Sequence, residues 1–210
     1  MGKTIEYLLQ ENGLSLDILC ELSFKSELGR SLKKNLDQFE REPLLAELAH
    51  MTEWLDENEI LSSVALDYRI KSVESIENKY ERYYPNHQVR KVFNDTLGFR
   101  AFCDGYRDLL KTEDEQFYVV DRSLGKSSDD GYRGVHVYFQ LDNRHYPIEI
   151  QFNTLFDRQL NNWLHSGLYK KDYPDAVGAE IRRRYEEGQI RNITEFEEVL
   201  HVLSCGERQK

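Results

Sequence analysis

The forty residues from Gly131 to Lys170 constrain the fold of this chain more than any other stretch. They open as GYRGVHVYF, continue through YPIEIQFN and close on TLFDRQLNNWLHSGLYK. Gly131-Tyr132-Arg133-Gly134 has the composition of a flexible turn that carries an aromatic ring and a cation. Val135 to Gln140 then alternates apolar and polar side chains, the period of a half-buried strand. Asn143 marks the turn out of it. Tyr146 to Phe152 is a second strand, with Tyr146, Ile148 and Ile150 on one face and Glu149 and Gln151 on the other. The strand pair therefore presents one carboxylate, Glu149, beside the Gly-flanked Tyr132. From Thr154 to Tyr169 the spacing predicts a helix that buries Leu155, Leu160, Trp163 and Leu164 and carries His165 and Lys170 back toward the same side.

Upstream, the pattern from Thr4 to about Ile60 is helical, with Leu44, Leu45, Leu48, Met51, Trp54 and Leu55 recurring at three and four spacing. Inside it, Lys25, Arg30, Lys33, Lys34 and Arg41 form a basic amphipathic stretch with Leu28, Leu32 and Leu36. A run of this kind is ordinarily a solvated face; its other use is a landing strip for a nucleic-acid backbone. Val64 to Lys71 reads as a strand, and Ser72 opens a helix that Pro85 ends. On that helix Ser75, Lys79 and Arg82 share one face, Lys71 and Arg69 lie just before it, and Val73, Ile76 and Tyr80 point into the core. Such a junction is either a solvated basic face or a cradle for a polyphosphate.

Strands at Phe99 to Cys103 and Gln116 to Asp121 follow, with a short helix at Tyr106 to Lys111 between them. Asp95 lies at the entrance of the first, where it can face Glu149. Gly125-Lys126-Ser127 is no P-loop, because Val120 stands where that motif needs a glycine. Ala179 to Tyr185 and Ile193 to Leu203 read as helices, and Arg182, Arg183 and Arg184 as a second solvated basic cluster. The sum is an α+β fold with a mixed sheet, expected as one domain: an N-terminal helical region (1–60), a core (61–172) and C-terminal helices (173–210).

Composition narrows the partners. A net charge of −10 over 210 residues excludes a protein that coats nucleic acid with its whole surface, although a local basic patch remains compatible with it. Cys20, Cys103 and Cys205 have no metal-like spacing and are expected as free thiols in a reducing compartment. No stretch resembles a signal peptide, a membrane span or a lipidation signature, so the expected location is the cytoplasm.

GYRGVH, then EIQ, then H-x-x-x-Y-K with its His sixteen residues after Glu149, resembles the synthetase domain of RelA/SpoT proteins, and more closely the single-domain small alarmone synthetases. The resemblance runs from about Val64 to Lys171. It implies a nucleotidyltransferase-like fold and transfer of pyrophosphate from ATP to a nucleotide 3′-hydroxyl. It implies ATP binding by Arg69, Lys71, Ser75, Lys79 and Arg100, through R-x-K-S-x-x-S-x-x-x-K and D-x-x-G-x-R. Asp95 and Glu149 would hold Mg²⁺, with Mn²⁺ equally suited to the same ligands, and Glu149 would also be the base. Tyr132 would stack the acceptor base, with His136, Gln151, Arg158, His165 and Lys170 nearby.

The pattern departs from the alarmone-making members on the acceptor side. Asn153 stands where they carry Arg, and Arg158 where they carry an Asn that helps read guanine. The chain in this respect looks more like the toxic small synthetases, which pyrophosphorylate the 3′-CCA end of tRNA and are held in check by an antitoxin protein. The expected acceptor is therefore the tRNA end, with Arg30, Lys33 and Lys34 as backbone contacts and GDP or GTP as the alternative. A non-catalytic nucleotide-binding module is the third reading; the Asp95 and Glu149 pair argues against it.

Overall fold

The computed structural model describes residues 4–111, 116–169, 171 and 173–207, with side chains as far as 204. The elements run α1 (Ile5–Glu11), α2 (Leu16–Glu21), α3 (Arg41–Asp56), α4 (Glu59–Ser63), β1 (Tyr68–Ile70), α5 (Val73–Tyr83), α6 (Val89–Val92), β2 (Leu97–Phe102), α7 (Arg107–Lys111), β3 (Phe117–Arg122), β4 (Gly134–Phe139), β5 (Ile148–Asn153), α8 (Leu155–Gly167), α9 (Asp175–Glu186) and α10 (Ile193–Glu207). Small polar residues start the helices. Thr4, Ser15, Asn58, Ser72 and Thr154 each accept a hydrogen bond from a first-turn amide of the helix that follows, a contact that stabilises a helix by about 1 kcal/mol.

The strands form one sheet in the order β1-β2-β5-β4-β3. β1 and β2 are antiparallel, Arg69 opposite Gly98. β2 and β5 run in parallel: Gly98 backs onto Glu149 near their starts, and the Cys103 amide donates to the Asn153 carbonyl just past their ends. Only eight residues join β4 to β5, too few for the crossover that parallel neighbours need, so that pair is antiparallel. The sheet is thus mixed and the fold α+β, as the alternation of elements predicts.

The chain divides into two units, each assembled from several segments. The first comprises Met1–Ala101, Arg107–Val119 and His136–Phe152. Here α3 packs on α5 and β1, burying Leu44, Leu45, Leu48, Met51 and Leu55 on one stripe. Its rings gather at Phe24, which meets His50, Trp54 and Tyr146 edge-on or tilted. The Tyr146 hydroxyl donates to Glu47 Oε1 at 2.8 Å. The second unit comprises Phe102–Tyr106, Val120–Val135 and Asn153–Lys210. In it α8, α9 and α10 close on a core of Leu160, Leu164, Leu168, Val177, Ile181, Tyr185, Phe196 and Leu200, each large side chain contributing about 1.5–3 kcal/mol by leaving water.

Three expectations are corrected. Residues 22–40 are not an amphipathic helix, and only Leu36–Gln38 makes a turn of 3-10 helix. Their backbone bonds go instead to distant segments: Ser26 to Arg144, Leu32 to Asn143, Leu36 to His87. Gly29 sits at φ +70, which ends any helix there. The strand expected from Val64 is confined to Tyr68–Ile70 because α4 occupies the residues just before Val64. Val73 and Leu155, expected in the core, are exposed. Both are the first residue after a capping Ser or Thr, where the chain has not yet turned its apolar face inward.

Candidate active site

In the first unit the junction of β1 with α5 brings three cations onto one carboxylate. Lys71 Nζ donates to Asp95 Oδ2 at 2.6 Å, Lys79 Nζ to Asp95 Oδ1 at 2.9 Å, and Arg69 lies at 3.9 Å. The spacing from Lys71, just after β1, to Lys79, two turns into α5, is what lets both reach the residue that enters β2. Lys79 is further fixed by the Val92 carbonyl at 3.1 Å. Burial alone would push the Asp95 carboxyl up, but Lys79 and Lys71 together outweigh it and hold Asp95 below the ordinary range. Burial pulls Lys71 down despite its ion pair. Asp95 is therefore ionised at neutral pH, with three basic side chains gathered around one carboxylate.

Ser75 is exposed in the first turn of α5, where the hydroxyl of Ser72 donates to its Oγ at 2.9 Å. Arg100 is half-buried on β2, its amide bonded to the Asp67 carbonyl.

Glu149, 6% exposed, stands on β5 among three side-chain donors. His136 Nδ1 donates to Oε1 at 2.9 Å, which fixes the proton on that nitrogen. The Tyr138 hydroxyl also donates to Oε1 at 2.9 Å, and Gln151 Nε2 donates to Oε2 at 2.7 Å. Burial raises this carboxyl, His136 lowers it, and the charge of Asp95 raises it again; the balance leaves Glu149 below its ordinary value. Gly98 leaves room beside it, since a Cβ there would stand 3.4 Å from Oε2.

The donor set suits a hard divalent cation. Two ionised carboxylates feel one another's charge, which an ion held by both would relieve. Among the described residues no group of three or more His, Cys, Asp or Glu is placed to hold a metal. An ion here would therefore complete its shell from phosphate and water, as Mg²⁺ commonly does.

Tyr132, Arg158 and His165 belong to the second unit, where the residues around Tyr132 are held from several sides. Arg182, 1% exposed, donates through Nε to the Gly131 carbonyl at 2.7 Å, through one terminal nitrogen to Asp157 Oδ1 at 2.7 Å and through the other to Asn161 Oδ1 at 3.2 Å. Asn153 and Asn161 both donate to the Arg133 carbonyl, at 2.9 and 2.7 Å, and the Tyr169 hydroxyl donates to the Asp130 carbonyl at 3.1 Å. Gly131, at φ +86, passes so close to α9 that a Cβ would meet the Gly178 carbonyl at 2.4 Å.

Arg158 is buried with its guanidinium 5.5 Å from the Phe102 ring centroid, and His165 is exposed on α8. Asn153 and Arg158, the two departures on the acceptor side, are thus buried side chains, and Asn153 braces a backbone turn. Lys170 lies outside the described residues. A depression lined by Ser166, Lys171, Phe196, Glu197 and His201 contains none of the candidate residues.

Sequence reasoning took Arg182, Arg183 and Arg184 as one solvated cluster. The structure separates them: Arg183 and Arg184 pair with Glu180, and Arg182 is interior. A signal was present, since Arg182 follows Gly178 by four residues on the stripe that also holds Ile181 and Tyr185. Arg30, Lys33 and Lys34 are exposed in the non-helical segment. Arg30 bonds the Gln38 carbonyl, while Lys33 and Lys34 make no ion pair with any described residue. Cys20 and Cys103 are free, with burial pushing the Cys103 thiol up to about 12; the Cys205 side chain lies outside the described residues. No helix among the described residues is long and apolar enough to cross a membrane.

No family model and no curated protein matches the chain. Among solved structures it is similar to small alarmone synthetase 1 from Bacillus subtilis bound to its product pppGpp, at 23% identity over 80% of this chain and 91% of that one, with a TM-score of 0.43. It is similar to small alarmone synthetase 2 from Bacillus subtilis at 23% identity over 78% and 97%, TM-score 0.43. A GTP pyrophosphokinase family protein from Streptococcus pneumoniae follows at 19% identity over 80% and 92%, TM-score 0.39. Similarity this low defines neither a family nor a function.

Proposed function

We propose that this chain is a pyrophosphotransferase that moves the β,γ-pyrophosphoryl group of ATP to a nucleotide 3′-hydroxyl. The observation that carries the reading is the convergence of Lys71, Lys79 and Arg69 on Asp95, in the same unit as the buried, ionised Glu149. A surplus of positive charge around one carboxylate is a seat for a polyphosphate, whose oxygens take over the donors that Asp95 now engages. Ser75 and Arg100 extend this seat.

In the transfer, the acceptor's 3′-oxygen bonds to the β-phosphorus while the bond from that phosphorus to the α,β-bridging oxygen breaks, and AMP leaves with that oxygen. The hydroxyl proton passes to Glu149. Held below the usual carboxylate range, Glu149 is a weak base, so it orients the hydroxyl first and accepts the proton late, as the new bond forms. His136, Tyr138 and Gln151 keep its oxygens aimed. Asp95 and Glu149 would hold Mg²⁺ or Mn²⁺, which supplies charge neutralisation between the phosphates. A non-catalytic nucleotide binder has no use for that pair.

For the acceptor we favour the 3′-CCA end of tRNA, with Lys33 and Lys34 as exposed cations for its backbone and Tyr132 as a stacking ring. Modification there blocks aminoacylation, so such a cytoplasmic enzyme would act as a toxin and require an antitoxin protein. A second reading, GDP or GTP as acceptor and (p)ppGpp as product, gains from one observation: Asn153 and Arg158 are buried, so their departure from the guanine-reading pattern says little about the acceptor.

The test is a transfer assay with ATP labelled in the β or γ phosphate and deacylated tRNA, GDP and GTP offered separately. Label on tRNA that is removed with its 3′ end supports the favoured reading. Label only on guanine nucleotides selects the second, and label on no acceptor removes both.

A further inference from the structure

We infer that Tyr118 is a second stacking platform for the acceptor, and hence that the acceptor is a single-stranded 3′ end rather than a mononucleotide. The inference rests on the pyrophosphotransfer reading and deepens it.

One row of side chains crosses the full width of the sheet within the first unit. It starts at Arg69 on β1, which lies opposite Gly98 on β2. Gly98 stands against Glu149 on β5. Glu149 is bonded to His136 and Tyr138 on β4, and the Tyr138 ring lies 6.2 Å from that of Tyr118 on β3, tilted by 31°. The alternation of the strands keeps this row on one face. Val135, Val137 and Phe139 are buried on the other, where Phe117 meets Phe139. The row is therefore polar in the chemical sense: cations at one end, the carboxylate in the middle, aromatic rings at the other end.

That polarity orients the substrates. The triphosphate belongs at the cationic end, the reacting hydroxyl at Glu149, and the rest of the acceptor over β4 and β3. Tyr118 is two strands beyond Glu149, roughly 10 Å away at the spacing of a sheet. It is 66% exposed, more than any other Phe, Tyr or Trp among the described residues. The Tyr138 hydroxyl is committed to Glu149, so the two rings form a surface with one anchored side and one open side. A ring lying that far from the reacting ribose meets the next nucleotide of a strand. Stacking on an aromatic ring tolerates any base and is the usual means of holding unpaired nucleic acid.

The experiment compares wild type, Tyr118→Ala and Tyr118→Phe as full chains, with labelled ATP and either the trinucleotide CpCpA or GDP as acceptor. Thermal midpoints confirm that the variants are folded. The expected result is transfer to CpCpA with a KM raised about tenfold in Tyr118→Ala, the loss typical of one stacked base, and restored in Tyr118→Phe. The KM for ATP stays within about twofold of wild type in both. If wild type labels CpCpA and Tyr118→Ala matches it, the inference falls while the pyrophosphotransfer reading stands. A raised KM for ATP instead overturns the orientation of the row. Label on GDP alone overturns the strand acceptor, and label on neither acceptor removes the underlying reading.

Discussion

Asp95 and Asp157 are alike in themselves and unlike in their company. Their side chains are 16% and 12% exposed, and each meets a cation at hydrogen-bonding distance. Around Asp95 the cations are graded in exposure, from Lys71 at 8% through Lys79 at 24% to Arg69 at 50%. Beside Asp157 stands Arg182 at 1%, with its remaining donors spent on Gly131 and Asn161. The first arrangement can exchange its anion for a ligand, because its cations reach water. The second cannot, and it braces a turn. Burial of the cation, more than that of the carboxylate, separates a site from a scaffold.

The comparison breaks most readily at Glu149. Glu149→Gln should lower transfer by about 10²–10⁴ in a chain that still folds; full-rate turnover in that variant would remove the catalytic assignment. On the scaffold side the effect should reverse. Arg182→Ala leaves Asp157 buried without its partner and should cost about 3–5 kcal/mol, read by denaturant unfolding, and a loss below about 1 kcal/mol would mean the bracing is idle.

Acid sharpens the contrast further. Asp95 and Glu149 have folded values below their ordinary 3.8 and 4.5. They therefore contribute stability that is complete above about pH 5 and is lost as pH falls through the folded values. Neither gives the transfer rate an acidic limb above about pH 5. His136→Asn removes the largest influence that lowers Glu149, so its pKa should rise and carry such a limb upward in a pH–rate profile; an unmoved limb would show that His136 does not set it. The smallest effect belongs to Tyr169→Phe, which deletes one hydrogen bond to the Asp130 carbonyl and should cost about 0.5–1.5 kcal/mol.

What the sequence discloses follows from how local the cause is. β4, β5, α5 and α8 are written in period and caps, and each is found within two or three residues of its expected bounds. The cations at 69, 71 and 79 and the carboxylates at 95 and 149 are legible through the resemblance to the RelA/SpoT synthetase motifs, since local spacing alone reads the junction equally as a solvated basic face. Residues 22–40 carry helical leucine spacing, yet their backbone bonds go to Asn143, Arg144 and His87, which no local pattern announces. Of three consecutive arginines the first, Arg182, turns inward because it lies on the stripe of Gly178, Ile181 and Tyr185, a placement that their shared charge hides. Tyr118 reads as an ordinary edge-strand tyrosine until the row beside it is seen.

The strand order has a consequence for how the molecule comes into being. β5 is the last strand made and the central one placed, so β1-β2 and β4-β3 share no hydrogen bond until it inserts. Glu149 rides on this keystone. A chain that ended before Ile148 would leave the facing edges of β2 and β4 unpaired and would lack Glu149. Pairing of β5 with β2, which sets Gly98 against Glu149 across roughly fifty residues of chain, is therefore the non-local closure that completes the sheet.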